Sequence, residues 1–160
     1  MNIIEKHQRW MSHAIREAES ALDEGEVPVG AVIVKDGTII ARGRNRREAL
    51  TDPTAHAEIL AITSAADHLG DWRLKGCTLY VTLEPCPMCA GAAVNSKLGQ
   101  IVFGARDADV GSCGTVHNIA TDKNAIHKIS VLPGILEHDS KLLLTKFFNS
   151  VRKKKKQKSA

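Results

Sequence analysis

Cys86 and Cys89, in the stretch LEPCPMCAGAA, are separated by two residues, with Pro85 and Pro87 on either side of the first cysteine. A pair at this spacing, placed at the start of a helix, closes on one metal ion with little loop entropy to overcome, and zinc is commonly held by Cys and His. Two ligands do not complete a site. His56, in DPTAHAEILAI, stands at a second strand-to-helix junction, so a chain that uses all three residues must bring two helix starts together on one face of a sheet. Three protein ligands leave the fourth position to water, the arrangement of a catalytic zinc site. Water on zinc ionises with a pKa of about 7 rather than about 16, and so supplies hydroxide at neutral pH. Glu58 lies two residues beyond His56 and reaches such a water without being a ligand. A carboxylate there takes the proton, delivers it to a ring nitrogen and later protonates a leaving amine.

The surrounding pattern supplies the elements. Trp10, Ala14, Ala18, Ala21 and Leu22 recur at helical spacing ahead of Gly25, which predicts a helix over residues 5–24. VPVGAVIVK and TIIARGR are β-rich runs joined through Asp36-Gly37, a dipeptide favoured in tight hairpins, and predict an antiparallel pair. After a polar loop at 45–53, Thr54 is the expected cap of a helix carrying Ile59, Leu60, Ile62 and Ala66. CTLYVTL reads as a third strand, PMCAGAAVNS as a short helix, QIVFGA as a fourth strand and HKISVL as a fifth. A loop rich in Gly, Asp, Ser and Thr is expected at 106–124, and Leu142, Leu143, Phe147 and Phe148 mark a last helix. Helices interspersed with strands predict a three-layer α/β/α domain around one central, mixed five-stranded sheet.

A chain of 160 residues with 43% apolar residues is sized for one domain, read as residues 1–151 followed by a basic, mobile tail at 152–160. The net charge of +4 resides in that tail: six of the 22 basic residues lie at 152–158, leaving 16 against 18 acidic residues, a balance of −2. Such a run is a solvated tail in the plainer reading and a salt-dependent contact with a polyanion in the other. Arg42, Arg44, Arg46 and Arg47 form a second cluster just upstream of His56, otherwise readable as an exposed edge strand entering a polar loop. The N-terminus lacks the apolar stretch and cleavage site of a secretory signal, and no apolar run approaches membrane-spanning length, which argues for the cytoplasm and against a membrane partner. Four cysteines are too few for a disulfide scaffold.

Each part of the motif also has a plainer reading. C-x-x-C alone fits a redox pair, a lone His near a helix start is usually a cap or a surface residue, and Glu58 would complement the helix dipole. Were Cys77 or Cys113 a fourth ligand, the centre would be a closed Cys₃His structural site with no water for Glu58 to activate. The full pattern H-x-E…P-C-x-x-C is more specific, being the signature of zinc nucleobase deaminases.

Across nearly the whole chain, through EVPVGAVIV, DPTAHAE, TLYVTLEPCPMCAGA, IVFGARDA and KFFNSV, the sequence closely resembles bacterial tRNA-specific adenosine deaminases of the TadA type, in the cytidine deaminase-like superfamily. The resemblance implies one Zn²⁺ per subunit on His56, Cys86 and Cys89, Glu58 as proton shuttle, and attack of zinc-bound hydroxide at C6 of adenine that expels ammonia and leaves inosine. It implies that Asn45 helps hold the target nucleoside, with Val29 and Ala57 lining the pocket. Arg106 and Asp107 would lie on a loop that meets the RNA, and Phe147 would be an aromatic contact of the anticodon loop. Asn45 also reads as a turn residue and Phe147 as core packing.

The implied substrate is the wobble adenosine of an arginine tRNA anticodon stem-loop, a nucleotide cheaper to splay out than a paired one. The implied assembly is a homodimer in which both subunits bind one RNA. Ile126-His127 departs from the Asn-His of many members and removes a candidate RNA contact, and the Lys-rich tail has no counterpart in the pattern. Two alternatives remain: a deaminase of free nucleobases, nucleosides or nucleotides, of the guanine or deoxycytidylate type, and a non-catalytic zinc-stabilised RNA-binding subunit. Subunits of the latter kind typically lose the shuttle glutamate, which is present here.

Overall fold

Alternating apolar residues build one sheet with two buried faces. In the computed structural model, which describes residues 1–159, the strands are β1 (Gly30–Lys35), β2 (Thr38–Arg44), β3 (Cys77–Leu83), β4 (Gln100–Ala105) and β5 (Ser130–Leu132). Their order is β2-β1-β3-β4-β5; β1 runs antiparallel to β2 and β3, whereas β3, β4 and β5 are parallel. The two-residue period of the strands sends Ala31, Ile33, Leu79, Val81, Ile101 and Phe103 to one face and Val32, Val34, Tyr80 and Val102 to the other. Helices cover both. They are α1 (Ile3–Asp23), the single turn α2 (Arg47–Leu50), α3 (Ala57–Leu69), α4 (Pro87–Asn95) and α5 (Glu137–Ser159). The first face packs on α3 and α4 through Ala57, Ala61, Ala65, Ala90 and Ala93, and the second on α1 through Trp10, Met11 and Ala14, with α5 beside it. This is the three-layer architecture expected from the sequence.

Local chemistry moves several boundaries. Asn2 and Glu5 form a reciprocal capping box, so α1 starts at Ile3, before the expected residue 5. Thr54 does not cap α3: its N–H and hydroxyl both donate to Asp52 Oδ1, at 2.8 and 2.7 Å, and the helix begins with His56 as its N-cap. The polar loop contains α2, where the N–H groups of Glu48 and Ala49 donate to the buried Glu26 carboxylate at 2.9 Å each. β5 is shorter than HKISVL because the Ile129 N–H bonds to Ala120 O in the long loop instead of to the sheet. The helix α5 continues through residues 152–158, all of which are exposed. Ala160, the last residue of the tail read from the sequence, lies outside the described residues. Among the described residues no helix is long and apolar enough to cross a membrane.

The layer that carries His56 and Glu58 rests on a close approach at Gly43 of β2. A Cβ there would collide with Ala57 O and lie 2.8 Å from Ala61 N, both in the backbone of α3. Gly43→Ala is therefore expected to lift α3 from the sheet and lower Tm by on the order of 5 °C or more. Calorimetry checks this, and an unchanged Tm would show that α3 has room to shift.

Candidate metal centre and pocket

The helices α3 and α4 both begin at residues of the motif. His56 is the N-cap of α3 and Cys86 the N-cap of α4, and neither side chain makes a cap hydrogen bond, which leaves imidazole and thiol free for another partner. Pro87 occupies the first helical position, where a missing N–H costs nothing. One turn on, Cys89 comes back to the same face. Cys86 Sγ lies 3.6 Å and Cys89 Sγ 3.5 Å from His56 Nδ1, and the three donor atoms lie within 4.8 Å of one another. Two sulfurs and an imidazole are a donor set that suits zinc. Cys86 is held down at about 4, first by the hydrogen bond from the Cys89 thiol and then by His56, while that same bond and burial push Cys89 up. His56 is raised, chiefly by Cys86. A thiol held low beside an imidazole and a second thiol is an arrangement that fits a cation.

Among the described residues this is the one such group of three donors. Cys77 and Cys113 are buried elsewhere in the core, where burial pushes Cys113 up to about 12. The four-ligand alternative therefore has no fourth cysteine in the group.

A cavity of about 200 Å³ opens beside these donors. His56, Glu58 and Cys86 form one end; Val27, Val29, Ala57, Leu83 and Val110 give apolar walls, and Asn45, Arg47, Glu84 and Asp107 line the rest. Glu58 is only 4% exposed, and burial raises its carboxyl above the ordinary range. The Asn45 amide donates to Val27 O at 3.3 Å and accepts from Arg47 N–H at 3.1 Å, which shapes the turn, and the same side chain borders the cavity.

The structure thus gathers Val29, Asn45, His56, Ala57, Glu58, Cys86 and Asp107 at one cavity, with Cys89 fully buried behind it. It does not bring Arg106 or Phe147 there. Arg106 lines a separate groove with Lys141, Leu144, Phe148 and Arg152. Phe147 is half-buried and meets Phe148 edge-on, ring centroids 5.3 Å apart, and Phe148, 47% exposed, faces that groove. Adjacent helical residues point about 100° apart, which separates the two rings.

The arginine cluster also divides. Arg44 is bound to Glu24 at 2.7 Å and Glu17 at 3.7 Å, whereas Arg47 borders the cavity. Val27, Arg47, Leu83, Glu84 and Val110 line the cavity and were not among the residues expected at the site. A carboxylate between an apolar strand and two prolines, as in LEPCP, is the one sequence signal that marks Glu84.

The chain matches the family model of MafB19-like deaminases over residues 5–152. A tRNA-specific adenosine deaminase of Bacillus subtilis (strain 168) is 50% identical over 147 residues, spanning 92% of this chain and 91% of the relative. The chain belongs to the tRNA-specific adenosine deaminase family. A member of that family from Aquifex aeolicus (strain VF5) is 47% identical over 143 residues, or 89% of this chain and 94% of its own. A structure solved in studies of A-to-I editing by tRNA:A34 deaminases at the wobble position of transfer RNA superposes with a TM-score of 0.82 at 42% identity, covering 85% of this chain and 99% of the other. The mixed five-stranded sheet between helices is thus the cytidine deaminase-like fold of this deaminase family. A guanine deaminase from Nitrosomonas europaea shares the fold at 28% identity, with a TM-score of 0.78 over 88% of this chain and 83% of the other.

Proposed function

We propose that this deaminase converts the wobble adenosine of a tRNA anticodon, with an arginine tRNA as the first substrate, to inosine and ammonia. The observation that carries the reading is the buried Glu58 carboxylate in one cavity with His56 and Cys86, next to Cys89. His56, Cys86 and Cys89 would hold one Zn²⁺ per subunit, and zinc when bound supplies a Lewis acid that brings the ionisation of water into the neutral range.

The chain's own residues do the rest. Glu58, whose burial favours a held proton, accepts one from the attacking water and passes it to the ring nitrogen N1; it then takes the proton of the new C6 hydroxyl and gives it to the amino group, so that ammonia leaves as C6 becomes a carbonyl. Val29 and Ala57 pack on the base, and the Asn45 amide keeps bonding capacity for the nucleoside. The cavity is below the roughly 300–1,000 Å³ of sites for drug-sized ligands and suits one splayed base. Asp107 borders it, while Arg106 and Phe148 line a groove outside it that would receive the RNA. Action as a homodimer in the cytoplasm belongs to the same proposal.

A free-purine deaminase is the second reading, favoured by the likeness to the guanine deaminase. Against it stands the groove of Arg106, Lys141, Phe148 and Arg152, a cationic and aromatic surface that a free base does not need. The deciding experiment offers zinc-loaded protein an arginine-tRNA anticodon stem-loop with adenosine at the wobble position, and in parallel guanine and deoxycytidylate. Inosine from the stem-loop alone is expected; product from guanine or deoxycytidylate without inosine would move the assignment to small molecules. A chain ending at Val151 should bind the stem-loop more weakly at low salt and with a shallower salt dependence. An unchanged slope would remove the basic residues from the RNA contact.

A further inference from the structure

Glu84 is the cavity residue that the deamination chemistry leaves without a role. It follows β3, is 2% exposed, and its N–H donates to Ala105 O at 2.8 Å. Its carboxylate accepts four hydrogen bonds from one loop. Oε1 takes the Asp107 N–H at 3.2 Å and the Thr115 hydroxyl, and Oε2 takes the N–H groups of Cys113 at 3.0 Å and Thr115 at 3.2 Å. Gly111 passes so near that a Cβ on it would lie 2.5 Å from Glu84 Oε1 and 2.5 Å from Asp107 O.

This loop has no helix or sheet ladder, only the isolated bridge between Cys113 and Asn118, yet it supplies Asp107 and Val110 to the cavity. Asp107 in turn closes its own bend by accepting the N–H groups of Asp109 at 2.9 Å and Val110 at 3.2 Å. With no ladder to hold the wall in place, it is tied to the strand that leads into Cys86 by one backbone bond, from the Ser112 N–H to Pro85 O at 2.9 Å, and by the four bonds to the buried carboxylate, two of them from Asp107 and Cys113 on either side of Val110.

We propose that Glu84 is a positioning residue: it anchors the Asp107–Val110 wall at the distance from Glu58 and the metal ligands that a bound base requires. The proposal rests on the deamination reading above. Both Glu84 oxygens are committed to loop donors, so it does not duplicate the proton transfer assigned to Glu58. Two oxygens with two donors each is a pattern that a carboxylate satisfies and an amide does not. In Glu84→Gln one oxygen becomes an NH₂ that faces other donors. The wall would then be released while its sequence stays intact.

The test uses zinc-loaded full-length protein carrying Glu84→Gln, Asp107→Ala or both, with zinc content, stem-loop kinetics and amide exchange at Asp107, Cys113 and Thr115 measured together. Glu84→Gln is expected to keep zinc, to exchange faster at those three amides, and to lose about tenfold to a hundredfold in kcat/KM through misplacement of the wall, with the rise in KM exceeding the fall in kcat. The double variant should fall little further than the worse single one, because both act on the same wall.

Additive losses, or unchanged exchange, would overturn the proposal. Loss of zinc would do so too, by making Glu84 a support of the metal turn. If Glu84→Gln does not fold, Thr115→Val removes one donor and leaves the carboxylate; it should show the same pattern at a few-fold amplitude, and wild-type kinetics with wild-type exchange there would count against the anchor. If the wild type forms no inosine, the deamination reading fails by itself, and the three exchange rates still decide whether Glu84 holds the loop.

Discussion

Glu58→Ala is expected to lower inosine formation by about a thousandfold or more while zinc stays bound. The carboxylate lies outside the group of three donors, so its removal leaves the ligand set intact. It is buried in the cavity, where bulk water is a poor substitute for a proton carrier. General acid–base groups contribute about 10²- to 10⁴-fold each, and here one group serves the water, the ring nitrogen and the leaving amine in turn. Single-turnover assays with metal analysis on the same samples separate the two quantities. Activity within tenfold of wild type in a zinc-loaded variant would assign the proton transfers elsewhere. Glu58→Gln, which keeps the volume and removes the acid, should lose as much and so exclude a packing effect.

Cys86→Ala is expected to lose zinc, activity and stability together. A zinc ion held by His56, Cys86 and Cys89 would tie the start of α3 to the start of α4, two segments otherwise joined by alanine contacts and the shared sheet. Because the unfolded chain offers no assembled site, metal binding free energy appears as folding free energy. A ligand at a thousand times its dissociation constant adds about 4 kcal/mol, which for a domain of this length corresponds to on the order of 10 °C in Tm. Wild-type protein stripped by a chelator should melt where Cys86→Ala melts, and zinc should restore the wild type alone. Full zinc occupancy in Cys86→Ala would remove this cysteine from the ligand set.

How far the fold was legible follows from the range of the forces involved. Strand period, the Asp36-Gly37 turn and the helical spacing of Trp10, Ala14 and Ala18 are written in neighbouring residues, and the five strands and main helices appear where that pattern puts them. Boundaries shifted where two local bonds competed. Thr54 has the side chain of a helix cap, but Asp52 two residues earlier captures its N–H and hydroxyl, and the cap passes to His56. The end strand was over-read because Ile129, Val131 and Leu132 extend a β-forming pattern back through HKISVL, whereas the Ile129 N–H bonds to Ala120 O in the preceding loop instead of to the sheet. Phe147 and Phe148 are equivalent to any apolar count, and the packing of α5 against α1 and β4 decides which ring reaches the groove.

The sequence by itself determined the group of three donors, the carboxylate beside it and their spacing, since His56, Glu58, Cys86 and Cys89 each occupy a fixed position at the N-cap or within the first turn of a helix. Helix geometry then sets their directions, whatever lies around them. Only the tertiary structure decided which charges are free to act. Arg44 is spent on Glu24 and Glu17, Glu26 caps α2, and Glu84 is filled by a loop more than twenty residues further on. Whether a charged side chain meets water, a substrate or a partner depends on segments distant in sequence, and such pairings leave no period for the sequence to show.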